Sequence, residues 1–178
     1  MSDATAGLAP PVVLTEAHDL SAFDSGEVVL DDWLRHRALN NLQLGASRTY
    51  VVCPAQSARV IAYFALNMGQ ILAQDAPGSM RRNMPKQIPA VMLGRLAVDR
   101  AWQGKGIARA LLTEVVNRAL RASHEVSARL VVVHAISSGA EAFYLHHGFK
   151  RLPVEAPIFV LDHVKFKTLA DSSPLNHP

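Results

Sequence analysis

The sequence predicts an α/β (α+β) fold in which a mixed central sheet, flanked by helices, contains one parallel strand–helix–strand unit. Three observations predict it. Residues 91–98 (VMLGRLAV) are apolar on both faces except at Arg95, and residues 128–136 (ARLVVVHAI) form a second nearly unbroken apolar run. Between them Ile107, Leu111 and Val115 recur every four residues, with Ala108, Leu112, Val116 and Ala119 beside them. Two buried strands joined by an amphipathic helix make a βαβ unit, which crosses over right-handed.

The remaining elements follow in chain order. Leu30, Leu34, Ala38 and Leu42 share a helical face behind Asp31 and Asp32, so residues 30–44 are expected to form a helix with acids near its N-terminus. Residues 48–53 and 60–67 read as a hairpin pair of strands. Residues 75–89 carry Pro77, Pro85 and Pro89 with Arg81, Arg82 and Lys86, which predicts a loop projecting from the sheet. A short helix over 138–147 carries Ala140, Phe143 and Tyr144, is closed by Gly148, and leads through Phe149 into a new strand. The tail from Asp171 is polar and proline-bearing, so order is expected over about 12–170 and the whole of 1–178 is expected to be one domain.

Composition excludes several classes. The 178 residues, 49% apolar, are enough for one core. Neither a signal peptide nor an apolar run near 18 residues is present, so a cytoplasmic protein without membrane spans is expected. Cys53 stands alone, ends the strand-like run TYVVC, and reads as a buried core thiol. The histidines are scattered, and the adjacent pair His146–His147 points to different helix faces, so no metal site is expected.

The glycine-rich turn carries the chemistry. Gln103, Gly104 and Gly106 lie between strand and helix, where the first N–H groups of the helix and the positive end of its dipole point outward and can hold a phosphate. The spacing matches neither the Walker pattern nor the dinucleotide fingerprint. What remains is Gln103-x-x-Gly106-x-Ala108, which resembles the Gln/Arg-x-x-Gly-x-Gly/Ala signature of the GNAT superfamily of N-acetyltransferases. The later string AFYLHHGFK (142–150) resembles the last motif of that superfamily. The resemblance implies acetyl-CoA as cosubstrate, held by the backbone at Leu96, Ala97 and Val98 and by Gln103, Gly104, Lys105, Gly106, Ile107, Ala108 and Arg109. It also implies Tyr144 as the proton donor to the departing thiolate. Where many members carry an asparagine after the second parallel strand, this chain has Ser137-Ser138-Gly139, which leaves Ser138 as a candidate cofactor contact. The glutamate base that many members place on this strand or its neighbour is missing from VMLGRLAV, and the nearest acid is Asp99.

Charge and the missing base bear on the acceptor. Residues 81–121 hold nine cations against Asp99 and Glu114, a local balance of +7 in a chain of net charge +3. Arg81, Arg82, Lys86 and Arg95 are therefore candidate RNA contacts, with a solvated surface as the alternative. A lysine side chain must lose a proton with pKa about 10.4 before it attacks, whereas an α-amine near ~8 is already partly neutral. The segment FDSGEVVLDDWLRHRALNNLQLGASRTYVVC (23–53), with both later motifs, is similar to the TacT-like and AtaT-like toxins of type II toxin–antitoxin systems. That resemblance implies acetylation of aminoacyl-tRNA, a block of translation, a homodimer, and a ribbon-helix-helix antitoxin through which alone DNA is bound. Two alternatives stay open: an ordinary GNAT enzyme acting on a small amine, peptide or protein N-terminus, and a non-catalytic acetyl-CoA-binding module.

Overall fold

The computed structural model describes residues 7–162, so the expectations for residues 163–170 and for the tail from Asp171 lie outside the described residues. The elements run β1 (Val12–Val13), α1 (Val28–His36), α2 (Ala38–Gln43), β2 (Arg48–Val52), β3 (Ala62–Leu72), α3 (Gly78–Arg81), β4 (Gln87–Val98), α4 (Ile107–Glu125), β5 (Leu130–His134), α5 (Ser138–His146), β6 (Lys150–Arg151) and β7 (Ile158–Asp162). They build a seven-stranded, mostly antiparallel sheet of order β1-β2-β3-β4-β5-β7-β6. Its one parallel pair is β4 with β5, as α4 between them requires.

The described residues divide into two compact units, 7–67 with 93–115 and 68–92 with 116–162. In the first, β2 and β3 pair antiparallel from Arg48↔Leu66 to Val52↔Ala62, which is the expected hairpin. Its core gathers Phe23, Leu30, Trp33, Leu34, Ala38, Val51 and Tyr63. The expected helix over 30–44 is broken: Arg37 sits at φ −125°, between α1 and α2. The break fits the pattern of burial, because Leu34 at the end of one helix and Ala38 at the start of the next are both wholly enclosed. Cys53 is buried, as expected, and burial pushes its thiol pKa up.

In the second unit β5 and β7 pair antiparallel from Leu130↔Asp162 to His134↔Ile158. Ile71, Met80, Ile88, Ala90, Leu130, Val132 and Val160 form its core. Two sequence expectations change here. The strand expected from residue 91 begins at Gln87, and the expected loop over 75–89 contains the one-turn helix α3. Met80 explains the second change, since its buried side chain draws that turn against Ile71 and Ile88. β7 was not anticipated, although IFVLD at 158–162 is the apolar run a buried strand shows. α5 begins at the expected place, with the Ser137 hydroxyl accepting from the Ala140 N–H at 3.1 Å.

No helix of the described residues is long and apolar enough to cross a membrane. Leu34 is the most informative core probe in the first unit. Leu34→Ala is expected to lower unfolding free energy by about 3 kcal/mol in a denaturant titration, the range for a wholly enclosed leucine, and a loss below ~1 kcal/mol would contradict the packing described.

Candidate functional site

The turn after β4 is held by hydrogen bonds from its side chains rather than by its glycines alone. Asp99, only 3% exposed, caps a 3₁₀ turn over Arg100–Trp102 by accepting from the Ala101 N–H at 3.0 Å. Its other oxygen accepts from the Asp24 N–H at 3.2 Å and faces the Arg59 guanidinium at 3.8 Å. Gln103 comes next, and its side-chain amide donates to the Ser25 carbonyl at 2.8 Å and to the Val98 carbonyl at 2.9 Å. The turn and the loop at residues 23–27 are thereby tied together.

That loop is locked from its other side by Asp31, which is 5% exposed on α1. Asp31 accepts from the Ser25 N–H at 3.0 Å and from the Ser25 hydroxyl at 2.6 Å. Gly26 has φ +91°, a conformation that strains any side chain, and a Cβ there would push aside the Arg100 side chain, whose Nε would lie 2.9 Å from it. Arg100 in turn faces Asp24 at 3.4 Å. The FDSG…LDD pattern is thus the sequence of a rigid loop whose partners sit on the phosphate-type turn. Sequence reasoning missed this clamp, although Asp24, Ser25 and Asp31 were each visible as loop-forming or capping residues.

Beyond Gln103 the backbone opens. Gly104 and Gly106 have φ +73° and +79°, and nothing lies within 4 Å of a Cβ built on either. Glycine is required here by conformation, and the open space is what an incoming phosphate needs. The first acceptor of the α4 ladder is the Gly106 carbonyl, taken by the Ala110 N–H at 3.1 Å, so the N–H groups ahead of Ala110 lie outside the ladder. Lys105 and Arg109 are exposed, and the Lys105 ammonium sits 4.9 Å from the Trp102 ring. Ile107 is buried and anchors the helix start, Ala108 is half-buried, and Leu96, Ala97 and Val98 lead into the turn along β4. A cleft of about 390 Å³ also opens beside α4, lined by Leu8, Pro10, Pro11, Val52, Ile107 and Glu114; it has no cation and does not suit a pyrophosphate.

Tyr144, in the second unit, is 6% exposed within an aromatic nest. Phe149 meets it edge-on at 5.4 Å, Phe143 edge-on at 5.3 Å and Phe159 at 6.4 Å. Burial pushes its phenol up to about 12, so the hydroxyl carries its proton throughout the physiological range. Phe143 is half-buried and lies 4.4 Å from the His147 ring. Ser138 is exposed next to the capping Ser137. Arg81, Arg82 and Lys86 are exposed in the second unit, whereas Arg95 is half-buried in the first. Among the described residues no group of three His, Cys, Asp or Glu could hold a metal ion.

Residues 58–151 match the acetyltransferase (GNAT) domain family, which spans more than half of the chain. The chain belongs to the GNAT acetyltransferases. It is 42% identical over 149 residues to a tRNA-acetylating toxin of Mycobacterium tuberculosis H37Rv, covering 84% of this chain and 89% of that protein. Among solved structures it is similar to AtaT complexed with acetyl-methionyl-tRNAfMet, at 29% identity and TM-score 0.86, covering 92% of this chain and 99% of the other. It is also similar to a tyrosine-to-phenylalanine variant of AtaT bound to acetyl-CoA and to the C-terminus of the antitoxin AtaR. There the identity is 27%, the TM-score 0.78, and the coverage 91% and 97%.

The GNAT signature glutamine therefore has a local structural task in this chain. Gln103→Ala leaves the Ser25 and Val98 carbonyls without their donor, and is expected to raise amide exchange at Gly26 and Glu27 by about tenfold, with exchange in β5 unchanged, in a mass-spectrometric hydrogen-exchange experiment. Unchanged exchange at those amides would show that the loop is held without Gln103.

Proposed function

We propose that this chain is an acetyl-CoA-dependent N-acetyltransferase toxin that acetylates the α-amino group of aminoacyl-tRNA and blocks translation. The observation that carries this reading is the 42% identity, across 84% of the chain, to a tRNA-acetylating toxin. AtaT complexed with an acetylated aminoacyl-tRNA supports the same substrate class.

In this reading the open turn receives the donor. The N–H groups at Gly104 to Ala108 and the N-terminus of α4 hold the pyrophosphate, Lys105 and Arg109 add charge, and Ser138 hydrogen-bonds the pantetheine arm. A backbone N–H of β4 between Leu96 and Val98 polarises the thioester carbonyl. The α-amine attacks the carbonyl carbon, the C–N bond forms as the C–S bond breaks, and Tyr144 delivers its phenolic proton to the leaving sulfur. The proton released from nitrogen passes to solvent, and Tyr144 is reprotonated. Asp99 does not act as base, because both of its oxygens are engaged by Ala101, Asp24 and Arg59. An α-amine suits such a site because a useful fraction is neutral without help.

The two compact units work as one domain in this reading, and Arg81, Arg82 and Lys86 face the RNA backbone. The toxin is cytoplasmic and homodimeric. A ribbon-helix-helix antitoxin neutralises it, and DNA is bound only through that antitoxin in a repressor complex. The AtaR-bound structure supports the antitoxin partner.

The deciding experiment is transfer of labelled acetyl from acetyl-CoA to a total pool of charged tRNA, with deacylated tRNA as control. Label on charged tRNA only is the expected result; label on small amines or peptides alone would replace the reading with that of an ordinary GNAT enzyme. Tyr144→Phe is expected to lower turnover by about 10²–10⁴-fold while leaving donor affinity unchanged by calorimetry. The pH profile follows from the same residue. The raised phenol pKa keeps the proton-donating form intact well past pH ~10, so kcat/KM is expected to rise with the acceptor amine near pH ~8 and then stay level to about pH 10. A descending limb near pH ~10 would mean that Tyr144 ionises as an ordinary exposed tyrosine does.

A further inference from the structure

Arg95 interrupts the apolar run of β4, and the structure gives it an unusual setting. Its guanidinium lies 4.3 Å from the centroid of the Trp33 ring. Trp33 is stacked on Tyr63 at 6.1 Å and 12°, and Phe23 meets Tyr63 edge-on at 5.6 Å. The Tyr63 hydroxyl donates to the Leu30 carbonyl at 2.8 Å, which fixes the column to α1. The base under the guanidinium is therefore rigid.

The cation itself is left without an anion. Arg35, Arg59 and Arg100 in the same unit each face an acid, Asp32, Asp99 and Asp24 respectively. No acidic side chain among the described residues pairs with Arg95, and its Nε is buried with no hydrogen-bond partner. Burial pulls its pKa down from the ordinary arginine value, although a guanidinium remains charged at any physiological pH. A half-buried, stacked and unpaired guanidinium on a rigid base is prepared for a planar or tetrahedral oxyanion from outside.

Position narrows the choice of anion. Arg95 precedes the stretch Leu96 to Val98 on β4 by one to three residues, about 3–10 Å along the strand, and the carbonyl-polarising N–H is assigned to that stretch. An amino acid esterified to a terminal ribose has no free carboxylate. The phosphate linking that nucleotide to the chain is its nearest anion, and it lies at a comparable reach from the α-amine. We propose that Arg95, seated on Trp33, receives the 3′-terminal phosphodiester of the acceptor, and so selects an amine carried on a nucleotide over a free amino acid or a peptide. This inference rests on the aminoacyl-tRNA reading and assigns the selectivity to one side chain.

The test compares two stable acceptors, amide-linked 3′-aminoacyl-adenosine with and without a cytidylyl phosphodiester at its 5′ oxygen, both carrying the amino acid found labelled on tRNA. The full-length enzyme is expected to favour the phosphodiester acceptor by about tenfold or more in kcat/KM, through KM rather than kcat. Arg95→Met should bring the two acceptors to parity while its rate on the bare nucleoside stays within about twofold of the parent enzyme. Arg95→Lys, which keeps the charge and loses the planar fork, should retain part of the preference and serves if the methionine variant does not fold. An undiminished preference in either variant overturns the assignment, and so does an equal loss on both acceptors, which would mark Arg95 as purely structural. If the parent enzyme acetylates charged tRNA yet shows no preference between the analogues, the inference fails alone. If it acetylates neither analogues nor charged tRNA, the aminoacyl-tRNA reading falls with it.

Discussion

The side-chain amide of Gln103 is the joint on which the first unit depends. Its two N–H groups reach carbonyls on different segments, Ser25 in the loop before α1 and Val98 at the end of β4. Both are neutral bonds at ordinary distances. Asp99 and Asp31 act as the outer fastenings. Each buried carboxylate is satisfied by N–H or hydroxyl donors of the same loop or turn, as charge this enclosed requires. A phosphate-type turn in this chain is therefore a rigid assembly of side chains, with the glycines supplying only the two left-handed conformations at its mouth.

This assembly engages the acids that lie near the turn. Asp24, Asp31 and Asp99 all lie near the turn in sequence or space, yet each already accepts or faces the chain's own donors. An α-amine is partly neutral near pH ~8 without a base, whereas a lysine side chain with pKa about 10.4 is not. Tyr144 has the complementary character. Enclosure by Phe149 and Phe159 raises the energy of the phenolate, so the group is kept as an acid.

Much of the fold was legible from residue patterns. The apolar runs around 91–98 and 128–136 and the four-residue recurrence from Ile107 became β4, β5 and α4, because two-faced burial and an amphipathic stripe leave strong periodic signals. The hairpin of β2 and β3 was equally plain. Less legible were the break at Arg37, the one-turn helix around Met80, and β7. Each depends on which neighbours enclose a few residues, and local sequence does not contain that information.

The sequence by itself determined that a strand, a Gln-x-x-Gly-x-Ala turn and a helix occur in that order, that a tyrosine sits in a later aromatic helix, and that the central strand carries an arginine and no glutamate. These are properties of residue type and spacing, which composition and periodicity preserve. Only the tertiary structure decided that Gln103 reaches back 78 residues to Ser25, that Asp99 is fastened rather than free, and that Arg95 rests on Trp33 with its Nε unpaired. Those facts rest on side chains from distant segments meeting within hydrogen-bond or stacking distance. Hydrogen bonds and ring contacts act over a few ångströms, so their partners are chosen by the folded path of the chain and not by neighbours in sequence.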